Sequence, residues 1–128
     1  MGIGKHILGA WDFQTPGRRE YDCFRGDRLV IDEKDRPSVT PIEGAVTEVD
    51  ISPDGWNEVR VVARGNHFKF FINGRAASEF TEHLPKEKRL DSGMIQLQLH
   101  DPGMIVHFKN IRLKIEPPGI KAAHSQRP

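Results

Sequence analysis

The chain has 128 residues, 29% of them charged and 37% hydrophobic, with a formal net charge of +1, so it is one modest globular domain rather than a disordered or multidomain chain. Lys and Arg are scattered among Asp and Glu with no basic stripe, so neither nucleic acid nor an anionic membrane is expected as a partner. Cys23 is the sole cysteine, which excludes an internal disulfide and a Cys-based metal cluster.

"MGIGKHILGAWD" has no signal-peptide build, and no apolar run approaches the ~20 residues that cross a bilayer. If Met1 is the natural start, the chain is expected to be soluble and untargeted. "HILGAWDF" reads as a short strand, "QTPGRREYDCFRGD" as a long loop and "RLVID" as a second strand. "KDRPSVTPIEG" reads as loop, and "AVTEVDI" as a short strand or turn. "SPDG" leads into the clearest block. In "WNEVRVVARG", Val59, Val61 and Ala63 alternate with polar neighbours; Gly65-Asn66 is a turn, and "HFKFFIN" is a strand rich in aromatics. Asn73-Gly74 is a type I′ hairpin signal, and "RAASEF" returns as the third strand of a meander running from Trp56 to Phe80.

"TEHLPKEKRLDS" is a charged surface loop with room for one helical turn, and its "KEKR" run belongs to a solvated face. "GMIQLQLH" alternates Ile95, Leu97 and Leu99 with Gln96, Gln98 and His100; Asp101-Pro102-Gly103 is a turn, and "MIVHFKNIRLKI" completes a hairpin. Val106 and Phe108 have one parity, Ile111, Leu113 and Ile115 the other, which predicts a bulge near Lys109-Asn110. Residues 118–128 read as a flexible tail.

These elements predict an all-β, antiparallel β-sandwich over residues 1–117. Its expected core is Trp56, Val59, Val61, Phe68, Phe70, Ile72, Phe80, Ile95, Leu97, Leu99, Phe108, Ile111 and Leu113. Five clear strands and a few weak ones are too few for a full jelly roll, which needs about eight. An incomplete sandwich leaves a strand edge and an apolar face open, so self-association into a homo-oligomer is expected.

"GWNEVRVVARGNHFKFFINGRAASEF" and "GMIQLQLHDPGMIVHFKNIRLKI" resemble the C-terminal part of the 3-keto-disaccharide hydrolase domain family, a concanavalin A-like jelly roll. The resemblance rests on the Trp-Asn pair, the Asn-Gly hairpin, the Gly-x-Ile-x-Leu-Gln-x-His strand and the closing Phe-x-Asn-Ile-Arg. "EYDCFRG" is similar to the family's Tyr-Asp loop, except that Cys23 stands where an acidic residue often follows. The family's earlier strands have no counterpart, so the resemblance implies a domain incomplete on its N-terminal side. It also implies a periplasmic or secreted setting for full-length relatives.

In such a jelly roll the concave sheet face holds the sugar, and Gln96, Gln98 and His100 have the parity for it. Amides suit sugar hydroxyls because they both donate and accept, and an imidazole can move a proton. The plain alternative is a solvated sheet face. The resemblance brings Tyr21, Asp22 and Arg25 over the same face: a ring to stack on a sugar, a carboxylate base and a guanidinium for an oxyanion. Arg18 and Arg19 are expected on the wet rim, His107 at an edge, and His67, His83 and His124 without metal-ligand spacing. Cys23 reads as a passive thiol.

The implied activity is cleavage of a glycoside with a keto group at carbon 3, with His100 or Asp22 as base and Arg25 or Gln98 on the enolate oxygen. No cofactor or metal is implied, and the partner is a carbohydrate. The alternatives are a non-catalytic carbohydrate-binding or interaction module, and a truncated domain that self-associates.

Overall fold

Alternating β-branched and aromatic residues gain a strand conformation only when a neighbouring strand takes up their backbone groups. In the computed structural model of the chain, which describes residues 10–13, 18–89 and 91–117, seven segments find such partners. They are β1 (Trp11–Phe13), β2 (Tyr21–Cys23), β3 (Asp27–Ile31), β4 (Pro37–Pro41), β5 (Val59–Arg64), β6 (His67–Ile72) and β7 (Arg75–Glu82). The chain divides into two units, Met1–Asp91 and Ser92–Pro128. All seven strands belong to the first.

β1 and β2 form an antiparallel pair, and the other five strands form one sheet in the order β4-β3-β7-β6-β5. Every neighbour in that sheet is antiparallel except β3 and β7, which run parallel, so the sheet is mixed. The meander read between Trp56 and Phe80 is β5-β6-β7. Its last turn is the one Asn-Gly specifies: Asn73 and Gly74 have φ of 50° and 81°, the left-handed pair of a type I′ hairpin. Helix among the described residues is confined to two 3₁₀ turns, Glu48–Asp50 and Lys86–Lys88. The fold is all-β, with the β1-β2 pair layered on part of the larger sheet as in a β-sandwich.

Two loops of the sequence reading are strands. Tyr21–Cys23 pairs with β1 (Trp11 with Cys23, Phe13 with Tyr21), a ladder too short to show as a period. Pro37–Pro41 pairs with β3, its two prolines at the ends of an edge strand, where a missing N–H costs no ladder bond. Of the predicted strand "HILGAWDF", residues 11–13 form β1, and residues 6–9 lie outside the described residues, as does the tail from 118 with His124.

One core cluster gathers Tyr21, Cys23, Leu29, Ile31, Phe80 and Leu84, with Phe68 stacked on Phe80 at a centroid distance of 5.7 Å. A second joins Val46 and Ile51, either side of the Glu48–Asp50 turn, to Ile72 and Ala77. A bulge in β7 opens there, where Phe70 faces Ser78 but Phe71 faces Ala76. The carbonyls of Ala76 and Ala77 accept hydrogen bonds from Val46 (2.8 Å) and Gly26 (2.6 Å). Asn73 ties the same end together. Its amide donates to the Asp50 carbonyl at 2.8 Å and to Asn57 Oδ1 at 3.0 Å, and its Oδ1 accepts from Glu58 N–H at 2.8 Å. Asn57 in turn binds both backbone groups of Ser52. The Trp-Asn and Asn-Gly motifs are thus the two halves of one clasp.

Of the expected core, Ile72 and Phe80 are buried, Phe68 and Phe70 are partly so, and Trp56, Val59 and Val61 are exposed. Trp56 precedes β5, and β5 is an edge strand with no described layer over its apolar side. In the second unit Ile95, Leu97, Leu99, Phe108, Ile111 and Leu113 are also exposed, and residues 91–117 form no strand ladder. Its turn is formed, with Met104 N–H bonded to the Asp101 carbonyl at 3.2 Å and Gly103 at φ 81°. The backbone also reverses at Asn110, φ 55°, where the change of phase lies. The predicted hairpin therefore has its turn and its break but no ladder. Alternation marks which residues seek a core, and it does not supply the strand that completes one.

Candidate functional site

The parity of each strand sorts the large sheet into two faces. Leu29, Ile31, Phe68, Phe70, Phe80 and Glu82 point to the side covered by Tyr21 and Cys23. The opposite side is polar. One row across it reads Thr40, Arg28, Glu79, Lys69, Val62, and the next reads Ser38, Val30, Thr81, His67, Arg64.

Glu79 is the hub of the polar face. Its Oε2 accepts from Arg28 Nε at 3.1 Å, and its Oε1 lies 2.6 Å from His67 Nε2. An ionised carboxylate only accepts, so the His67 proton sits on Nε2 and Nδ1 is left to take another. Burial by itself pushes Glu79 upward, but the bonds from His67 and Arg28 outweigh it and hold the carboxyl below its usual value. Glu79 thus holds the His67 ring and the Arg28 guanidinium side by side on this face. In the sequence His67 is only a strand-opening residue, because its partner Glu79 comes from β7 and is shared with Arg28 of β3.

The core face holds a second charged group. Glu82, 1% exposed, lies 2.6 Å from Arg18 Nη1, in an ion pair whose angle is not that of a hydrogen bond. Arg18 also reaches Asp35 at 3.5 Å, and Tyr21 donates its hydroxyl to the Asp35 carbonyl at 2.6 Å. Burial, then the bond to Asp35, raises the Tyr21 pKa. Arg18 is therefore an inward-pointing partner of a buried carboxylate and not a residue of the wet rim. Arg19 is exposed, with its guanidinium 5.9 Å from the Tyr21 ring centre. A cavity of about 330 Å³ is lined by Asp32, Glu33, Lys34, Arg36 and His83 at the β3-β4 turn. There Asp32 is engaged by the backbone of Lys34 and Arg36 and by the Arg36 side chain.

The site residues read from the sequence fall in both units. Tyr21 is buried in the first cluster, Asp22 is exposed on the outward side of β2, and Arg25 is buried at the turn into β3. That turn needs Gly26, whose φ of 97° would strain any side chain. Asp22 and the His67–Glu79 pair lie on opposite sides of the sheet. In the second unit Gln96, Gln98 and His100 are exposed, and His100 Nδ1 lies 2.8 Å from Asp101 Oδ1. An ionised carboxylate accepts a hydrogen bond from Nδ1–H, which leaves the Nε2 lone pair open. Among the described residues no group of His, Cys, Asp and Glu could hold a metal ion.

No curated protein and no solved structure matches the chain. The profile of the 3-keto-alpha-glucoside-1,2-lyase-like domain matches residues 14–114, which takes in β2 to β7 and the Gln96–His100 row. The match spans far more than half of the 128 residues and includes the Trp-Asn, Asn-Gly and Leu-Gln-x-His motifs in order. The chain belongs to the 3-keto-alpha-glucoside-1,2-lyase-like domain family.

Proposed function

We propose that this domain binds a glycoside carrying a keto group at carbon 3 and cleaves it by elimination. The observation that carries the reading is the family match over residues 14–114, since the family is described by a 3-keto-alpha-glucoside and a lyase step. The ketone acidifies the hydrogen on carbon 2. A base removes that proton, the electron pair passes through the enolate, and the bond from carbon 1 to the glycosidic oxygen breaks. The leaving oxygen then takes a proton. A lyase step fits this chemistry better than direct hydrolysis by two flanking carboxylates.

His100 is the base in this reading, with Nε2 free to accept and Asp101 holding the ring through Nδ1. Gln96 and Gln98 hold sugar hydroxyls or the enolate oxygen. Asp22 is the second base, open to solvent on β2, with Arg25 at the following turn. Tyr21, on the opposite face of β2 with its ring buried, anchors the strand that carries Asp22. His67, oriented by Glu79, is a third base of the same type.

The test is turnover of a 3-keto-disaccharide, with release of the free sugar followed by chromatography. His100→Ala should lower the rate by roughly 10²-fold or more, the usual contribution of a general base. Asp22→Asn and His67→Gln, measured beside it, assign the base if His100→Ala is without effect. Glycan binding with no turnover would make the domain a non-catalytic carbohydrate-binding module. Absence of both binding and turnover would sink the reading.

A further inference from the structure

Asn73-Gly74 is the single Asn-Gly pair in the chain. The pair makes a turn, and it also makes asparagine chemically labile. The Gly74 backbone nitrogen can attack Asn73 Cγ, an approach that a side chain on the following residue would hinder. The new N–Cγ bond closes a five-membered imide, the Cγ–Nδ2 bond breaks, and Nδ2 leaves as ammonia with the proton Gly74 gives up. Water then opens the ring at either carbonyl, leaving aspartate or isoaspartate at position 73. Asn73 is exposed, and apart from adjoining residues nothing lies within 4 Å of where a Cβ on Gly74 would stand, so water reaches the turn.

The fold opposes the attack by occupying both ends of the amide. Nδ2 donates to the Asp50 carbonyl at 2.8 Å and to Asn57 Oδ1 at 3.0 Å, and Oδ1 accepts from Glu58 N–H at 2.8 Å. The backbone is tied to the same place, with Asn73 N–H bonded to the Glu58 carbonyl at 2.9 Å. For Cγ to meet the Gly74 nitrogen the amide must turn, and it turns only once the side-chain bonds open. Each bond is worth a factor of about five in such an opening, so three together hold the reactive form to roughly one part in a hundred.

The same bonds decide what the product loses. Asn57 cannot reverse its amide to suit a new neighbour, because its Oδ1 accepts from Ser52 N–H and its Nδ2 donates to the Ser52 carbonyl. An ionised aspartate at position 73 puts an acceptor where Nδ2 stood, against two further acceptors, the Asp50 carbonyl and Asn57 Oδ1. Of the three side-chain bonds, the one from Glu58 N–H survives. Isoaspartate also lengthens the backbone of a two-residue turn, between Ile72 and Arg75, which pair across it. Ile72 is fully buried in the second core cluster with Val46, Ile51 and Ala77, so the loosened turn reaches the core directly.

We infer that Asn73 is a deamidation site kept shut by its clasp to Asn57 and Asp50, and that its conversion is a one-way release of the β6-β7 turn. The co-reactant is water, and the reaction does not run back. A molecule that opens the clasp long enough is therefore altered for good.

The experiment incubates the whole chain at about pH 8, folded and in denaturing guanidinium chloride, and follows the tryptic peptide of residues 70–75 by mass spectrometry. Conversion replaces an amide nitrogen by oxygen, which the peptide mass reports. The folded chain should convert at least about thirtyfold more slowly than the unfolded one, and Asn57→Ala should speed the folded chain about fivefold. Asn73→Asp, which stands in for one product, should lower the urea midpoint. If Asn57→Ala does not fold, the folded and unfolded parent still decide the protection by themselves. No conversion in guanidinium chloride overturns the site. Equal rates folded and unfolded, or a folded Asn57→Ala that converts no faster than the parent, overturn the clasp as its guard. An Asn73→Asp midpoint equal to the parent's overturns the release.

Discussion

Arg18→Met leaves the Glu82 carboxylate inside the core with nothing opposite it. At 2.6 Å the pair is worth about 6 kcal/mol of Coulomb energy at an effective dielectric of about 20. Removing two ions from water costs several kcal/mol each, so most of that gain is offset. The partners are 14% and 1% exposed, so little of the interaction is screened by solvent. Oε1 of Glu82 and Nε of Arg18 have no directed hydrogen-bond partner, so the pair is held by charge more than by geometry. Losing one partner should therefore cost about 3–5 kcal/mol, while Arg18→Met with Glu82→Leu should return to within about 1–2 kcal/mol of the parent. Urea unfolding followed by far-ultraviolet circular dichroism reads both. With a slope of about 2 kcal/mol per molar, the single variant moves the midpoint down by about 2 M. A single variant within about 0.5 kcal/mol of the parent would place Arg18 among ordinary surface residues and refute the argument. A double variant as unstable as the single one would show that lost packing, and not an unpaired charge, is responsible.

Asn73→Ala removes three hydrogen bonds and puts a Cβ without polar compensation at φ 50°; a loss of about 2–3 kcal/mol is expected, partly recovered in Asn73→Gly, and equal losses in the two would deny the backbone part. Cys23 is fully buried, and burial pushes its thiol up to about 11, so a thiol reagent at pH 8 should label it slowly in the native chain and at once in urea. Fast native labelling would mean that β2 opens readily. Glu79 has a lowered folded pKa, so its ion pairs stabilise the fold above the unfolded carboxyl value and that contribution is lost as pH falls through the folded one. Below about pH 4.5 the parent should lose stability more steeply than Glu79→Gln, and parallel pH curves would count against the network. We also propose that the exposed edge of β5, with Val59 and Val61 uncovered, drives self-association. Light scattering at tens of micromolar should give more than the monomer mass, and a clean monomer would rule it out.

The meander, its Asn-Gly turn, the Asp-Pro-Gly turn and the break at Asn110 were legible in the chain because each is a local matter of side-chain period and backbone sterics. The sandwich class and the family were legible for the same reason, since their motifs are short and fall in order. Of the proposed site, the Gln96–His100 row could be named from residue type and parity, and the Asp22 carboxylate only through the family resemblance of its loop. Which strands lie beside which could not. β4 was hidden by its prolines, β2 by its brevity, and the parallel pairing of β3 with β7 joins residues about fifty positions apart. That pairing brings Arg28 to Glu79, and the antiparallel one brings His67, so an imidazole, a carboxylate and a guanidinium meet from three strands. The same packing draws Arg18 inward to a buried Glu82. Period fixes a side chain's face within its own strand, whereas charge clusters and ion pairs depend on register between strands, which only long-range hydrogen bonding decides.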